Sequence, residues 1–161
     1  MSLVKKFLFG KKISSPLIRL LALLIILLFV SSFFYYVIEI DGESMSPTLR
    51  EGEVLFVDER AYEDKEPQRY DVVVFKLNEE KEEIVIKRII GLPTETVLIK
   101  SGEILIDERK IKIIHGNGPV GKMMAGPYTI LKNCYFVIGD NRSDSFFGII
   151  SKKDIIGKVI F

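Results

Sequence analysis

Three short segments of the chain hold side chains that could do chemistry: Asp41-Gly-Glu-Ser-Met-Ser-Pro-Thr-Leu49, Ile84-Val-Ile-Lys-Arg-Ile-Ile-Gly-Leu-Pro93 and Val137-Ile-Gly-Asp-Asn-Arg-Ser-Asp-Ser145. Ser44 lies in a Gly-, Ser- and Pro-containing stretch, the composition of a turn that can expose a hydroxyl. A serine hydroxyl is a poor nucleophile until an adjacent base takes its proton. The chain has one histidine, His115, and it falls in a glycine-rich stretch, whereas Lys87 falls in an apolar run. Strand alternation puts Lys87 on the face of Val85 and Ile89 and turns Arg88 the opposite way. Burial there disfavours the ammonium form; bringing a lysine down to a pKa of roughly 7 to 8 costs about 4 kcal/mol, within the range known for buried lysines. Taken singly, Ser44 also reads as an ordinary turn serine, Lys87 as a lysine snorkelling from a half-buried strand, and His115 as a surface residue.

The elements that must position these residues read as strands. Beyond Glu39 the apolar residues come in short runs rich in Val, Ile and Phe, separated by Gly, Pro, Asp and Asn. Strands are predicted at Val54–Asp58, Asp71–Leu77, Ile84–Ile90, Val97–Lys100, Glu103–Ile106, Lys110–Ile114, Cys134–Ile138 and Ile155–Phe161. Ser101-Gly102 is a two-residue connection between alternating runs and gives the clearest hairpin signal. Residues His115 to Pro127 carry four glycines and two prolines and predict a loop, in which Met123 and Met124 could touch lipid or fill a gap. Glu59 to Arg69 reads as a solvated connection. The fold class expected is mainly β.

Ahead of these strands the chain is different in kind. No residue from Leu20 to Ile38 is charged, and 19 helical residues at about 1.5 Å each reach roughly across a bilayer's hydrocarbon core. Lys5, Lys6, Lys11, Lys12 and Arg19 precede this run, and the first acidic residue of the chain is Glu39. That asymmetry predicts a single-pass protein of the cell membrane, with residues 1–19 a basic cytoplasmic segment, 20–38 a transmembrane helix and 39–161 an extracytoplasmic β-rich domain. Tyr35 and Tyr36 would lie at the far headgroup region. Phe33, Phe34, Tyr35 and Tyr36 stand where a cleavable signal peptide would carry small residues, which favours a retained anchor. Without the five leading cations, 18 basic residues face 22 acidic ones, and this balance gives no reason to expect nucleic acid as a partner. Cys134 is the only cysteine, so an intrachain disulfide and a multi-cysteine metal site are excluded.

In order and spacing, the anchor, the Ser44-Met-Ser-Pro-Thr48 motif, the Lys87-Arg88 pair and the Gly139-Asp-Asn-Arg142 motif together resemble the type I signal peptidases. The likeness covers nearly the whole chain. It implies a membrane-bound serine endopeptidase that removes N-terminal signal peptides from exported precursors, with Ser44 as nucleophile, Lys87 as general base and no metal or cofactor. It further implies that a serine after the Gly-Asp-Asn-Arg motif hydrogen-bonds the lysine; direct count makes this Ser145. The sequence departs from the family pattern here, running Ser145-Phe-Phe-Gly148 with a deletion, so that Asp144 and Ser145 also align with a later Asp-Ser pair of the family. Gly42 stands where some members carry a serine hydroxyl for the oxyanion, as in the Asp-Gly-Asp-Ser-Met version typical of Gram-positive enzymes. The backbone N–H of Ser44 is then the obvious oxyanion donor.

The resemblance also implies secretory precursors and membrane lipid as partners, and a substrate laid down as an added β-strand with small side chains at the first and third positions before the cut. Ile40, Met45 and Ile84 to Ile86 are candidates to wall the pockets. Asp140, Asn141 and Arg142 read as structural, and Pro47, Thr48 and Leu49 as scaffold. Two other readings stand beside this one: a self-cleaving Ser/Lys regulator related to the SOS repressors, and an inactive relative that binds precursors or pilins and assists their assembly.

Overall fold

A computed structural model describes residues 16–31, 35–78, 83–112, 115–116, 118–120, 124–143 and 146–161. The chain divides into two units, Met1–Tyr35 and Tyr36–Phe161. The first contains one described helix, α1 (Pro16–Ser31), with leucines and isoleucines exposed along its length. Pro16 opens the helix, where its fixed φ suits the first turn and its missing N–H costs nothing.

The single helix predicted over 20–38 is not what the structure contains. Helix α1 ends at Ser31, and Tyr35–Glu39 is a strand. Among the described residues no helix is long and apolar enough to cross a membrane. The run that looked continuous in hydropathy changes character at its end: Tyr35-Tyr-Val-Ile38 is aromatic and β-branched, the composition that strands favour over helices.

The second unit is mainly β, as expected. Its strands are β1 (Tyr35–Glu39), β2 (Val54–Asp58), β3 (Val72–Asn78), β4 (Glu83–Gly91), β5 (Thr96–Lys100), β6 (Glu103–Ile106), β7 (Arg109–Lys110), β8 (Ala125–Thr129), β9 (Cys134–Ile138), β10 (Phe147–Ser151) and β11 (Ile155–Ile160). They form a seven-stranded sheet in the order β1-β2-β11-β3-β4-β9-β10 and a four-stranded sheet in the order β7-β6-β5-β8. The β5–β6 hairpin closes on Ser101 and Gly102, with Lys100 opposite Glu103 and φ of 53° and 80° at the two turn residues, the left-handed pair that a tight hairpin requires. Strands β1, β8 and β10 escaped the sequence reading. Two of them carry residues that break a strand pattern, Gly126 and Pro127 in β8 and Gly148 in β10, and are held by pairing to β5 and β9.

Three apolar clusters hold the domain together. One lies against the smaller sheet around Val97, Ile99, Ile104 and Phe136, with the half-buried Cys134 packed beside it. A second joins Val72 and Val74 to Ile40, Met45 and Leu49. A third joins Val73 and Phe75 to Ile89, Tyr135 and Val137. Alternate residues of β3 thus enter different clusters, so this central strand is covered on both faces; that explains its unbroken apolar run. The cover matters for the site, because β4 lies beside it with Val73 opposite Lys87 and Val72 opposite Arg88.

Candidate active site

Residues 44 to 48 form a turn between β1 and β2, pinned from below by Met45 and Leu49, which are 1% and 2% exposed in the second cluster. The Leu49 N–H donates to the Met45 carbonyl at 3.0 Å and the Ser46 N–H to that of Glu43 at 3.0 Å. Gly42 precedes the turn at φ 90°, a conformation open to glycine at little cost. Ser44 is thereby left half-buried, facing β4.

Lys87 is 4% exposed. Its Nζ donates to Ser44 Oγ at 2.7 Å and to the Ile86 carbonyl at 3.0 Å. Burial pushes the Lys87 amine down from an ordinary value of 10.5 to about 8. About a tenth of the molecules then carry a neutral amine at pH 7, against well under a thousandth for an ordinary lysine, and in that form the lone pair can accept the hydroxyl proton across the same contact. His115, the alternative base, is in ring contact with Tyr70 and offers its carbonyl to Arg142.

The next residue solves the same burial problem differently. Arg88, 3% exposed, meets the fully buried Asp140 through Nε to Oδ1 at 2.9 Å and Nη2 to Oδ2 at 2.6 Å, and its Nη1 donates to the Tyr70 carbonyl at 2.8 Å. Burial alone would raise the pKa of the Asp140 carboxyl. Hydrogen bonds from Arg88 and Thr48 outweigh that and hold it below the usual carboxylate range. Asn141 reaches back to the turn that carries Ser44, its backbone N–H donating to the Ser44 carbonyl at 3.0 Å and its Nδ2 to that of Glu43 at 3.4 Å. Arg142, also buried, donates to the His115 carbonyl at 3.0 Å.

A cleft of about 340 Å³ runs from this pair between residues 38–41 and 83–87. Ile40, Met45 and Ile84 to Ile86 line it, as the sequence suggested. Residues 83–87 of β4 pair with β3 on one side, while β9 joins only from Arg88 onward, and β1 is the edge strand of its sheet. Among the described residues, two stretches of backbone each lack a strand partner on one side and flank the cleft that ends at Ser44 and Lys87, with the Ile86 carbonyl taken by Lys87.

A family model described as signal peptidase, peptidase S26, matches residues 15–161. The chain belongs to the S26 signal peptidase family. It is 33% identical over 138 residues to signal peptidase I V of Bacillus subtilis (strain 168), covering 75% of this chain and 81% of that protein. It is 32% identical over 143 residues to a signal peptidase I of Bacillus caldolyticus, covering 78% and 76%. Against a signal peptidase I of Leptolyngbya laminosa it is 33% identical over 132 residues, covering 75% of this chain and 64% of the relative. The crystal structure of a signal peptidase I from Enterococcus faecalis V583 aligns with a TM-score of 0.48 at 26% identity, covering 60% of this chain and 98% of that one.

In this S26 family member the structure brings together two of the three residues singled out from sequence, Ser44 and Lys87. Ser145, with Asp144, lies outside the described residues. The sequence reads Thr48 as scaffold and Asp140 as structural, both within their motifs; what it does not show is that the two meet and that Asp140 also holds Arg88. Lys87 also carries a cost to stability. The unfolded chain keeps its lysine protonated up to about 10.5 and the folded chain only up to about 8, so folding is disfavoured most below 8, and stability recovers as pH rises between those values. Lys87→Met is therefore expected to be more stable than the unsubstituted protein by roughly 1–3 kcal/mol at pH 7, with the difference shrinking toward pH 10.5, as read by denaturant unfolding. Lower stability of Lys87→Met across that range would mean the lysine is not held at a desolvation cost.

Proposed function

We propose that this chain is a serine endopeptidase that cleaves signal peptides from precursor proteins, with Ser44 as nucleophile and Lys87 as general base. The carrying observation is the 2.7 Å approach of a buried, depressed-pKa amine to a turn hydroxyl at the end of an open-edged cleft. The precursor segment enters between residues 38–41 and 83–87 as an added strand, its backbone satisfied by the free edges and its small side chains seated against Ile40, Met45 and Ile86. Lys87 takes the Ser44 proton as Oγ attacks the scissile carbonyl carbon. Negative charge develops on the carbonyl oxygen, and the Ser44 backbone N–H is the donor assigned to it. As the intermediate collapses, the C–N bond breaks and the Lys87 ammonium gives its proton to the departing amine. Water then attacks the acyl-enzyme with Lys87 again as base, releasing the carboxylate and restoring Ser44. Ser145 is proposed, from the family resemblance, as the hydrogen-bond partner that orients the lysine.

The N-terminal segment is assigned to membrane association, its N-terminus on the cytoplasmic side and the β domain outside. The exposed apolar surface of α1 and the five cations that precede Leu20 support this. Full-length protein is expected to float with anionic lipid vesicles in a density gradient and to resist stripping by high salt; recovery in the dense fractions would remove the membrane assignment.

The activity assay uses a peptide bearing an Ala-x-Ala site and reads the products by mass spectrometry. The full chain should cut after the second alanine, and Ser44→Ala and Lys87→Ala, both folded by circular dichroism, should each lose at least about 10³-fold in kcat. Retained activity in either variant would reject the pair as the catalytic machinery.

A further inference from the structure

The turn that carries Ser44 is tied to the strand that carries Lys87 by a second route, which does not pass through the reacting atoms. Thr48 Oγ1 donates to Asp140 Oδ2 at 2.5 Å, and the same carboxylate grips Arg88, the neighbour of Lys87 on β4. Asp140 is 0% exposed and Arg88 3% exposed, so their pair is shielded from water, while Thr48 is half-buried. Thr48 closes the turn that Ser44 opens. Asn141, next to Asp140, holds the opening end by donating to the Ser44 carbonyl. Two adjacent residues of one loop thus grip both ends of the nucleophile's turn, and one of them also grips β4.

We propose that Thr48 is a positioning residue for the Ser44–Lys87 pair, acting through Asp140 and Arg88; the proposal rests on the proteolytic function assigned above. Met45 and Leu49 fix the depth of the turn by apolar packing, which has little directional preference. A hydrogen bond to a buried carboxylate is directional and about twice as strong as a neutral one, so Thr48 supplies the rotational restraint that packing lacks. Proton transfer needs Oγ and Nζ within hydrogen-bond reach, and a misplacement of about 1 Å can cost on the order of 10²-fold in rate. Thr48 is not among the residues that line the cleft. Removing its hydroxyl should leave substrate binding nearly intact while the chemical step slows.

The test compares full-length Thr48→Val and Thr48→Ser with the unsubstituted protein, each checked by thermal unfolding. On the Ala-x-Ala peptide, Thr48→Val should lower kcat about 10-fold with KM changed by less than about 2-fold, and Thr48→Ser should recover most of the loss. Thr48→Ala, which leaves space for a water beside Asp140, serves if the valine variant does not fold and should show the same split. A second readout needs no turnover: in NMR titrations of a labelled Lys87 side chain, Thr48→Val should move the midpoint upward from about 8 as the loosened turn admits water, and Thr48→Ser should not. Three results would overturn the proposal: an unchanged kcat in folded Thr48→Val, no rescue by serine, or an unmoved Lys87 titration. An unsubstituted protein that cleaves nothing while the Lys87 midpoint still responds to Thr48→Val would instead reject the proteolytic function and keep the positioning role.

Discussion

Two cations stand next to each other on one strand, both nearly out of water, and among the described residues only Arg88 meets a counter-charge. Arg88 is answered by Asp140 in a forked pair, a compact solution for a guanidinium that keeps its charge. Lys87 is answered by a hydroxyl and a carbonyl. Neither can neutralise an ammonium, so burial lowers the lysine's pKa, and the proton becomes available for exchange with Ser44. The contrast is possible because β3 and β4 are covered on both faces at this point, with Val72 and Val73 fully inside opposite the two cations. A solvated lysine at the same sequence position would hold its proton at neutral pH.

The rest of the domain keeps the two partners at one distance. The turn belongs to the connection between β1 and β2, the lysine to β4, and 43 residues of chain separate them. Nothing local sets their spacing. It comes from Met45 and Leu49 sharing a core with Val72 and Val74, and from the loop after β9, whose Asp140 and Asn141 reach the strand and the turn at once. The free edges along the cleft belong to the same design. A sheet that stops pairing on one side of residues 83–87 leaves backbone that an extended peptide can satisfy, and in the proposed function that peptide ends at Ser44 and Lys87.

Much of this was legible before any coordinates. The β content followed from short Val- and Ile-rich runs, and the β5–β6 hairpin from Ser101-Gly102 between alternating residues. The apolar run around Lys87 admits a buried lysine, but periodicity alone reads equally as one that snorkels to solvent; only the company of the Ser44 motif favours burial. Partnership with Ser44 was not derivable from spacing; it came from resemblance, because pairing between distant segments is fixed by the sheet. The errors have physical sources. Hydropathy runs unbroken from α1 into β1, so hydropathy alone carries the helix over residues that pair as a strand. Glycine and proline in β8 and β10 disguised strands that are stabilised by neighbours rather than by intrinsic preference. Thr48 looked like scaffold because a single threonine gives no hint that a buried carboxylate 92 residues away is its acceptor.

The proposed chemistry requires Lys87 to lose a proton before Ser44 can react. The most direct measurement is the pH dependence of kcat/KM for a short peptide substrate with the full-length protein. The rate should climb tenfold per pH unit on the acid side and level off with a midpoint near 8, the value to which burial lowers this amine. A profile that is flat from pH 6 to 9, or whose midpoint sits near 6.5 as for a histidine, would contradict it.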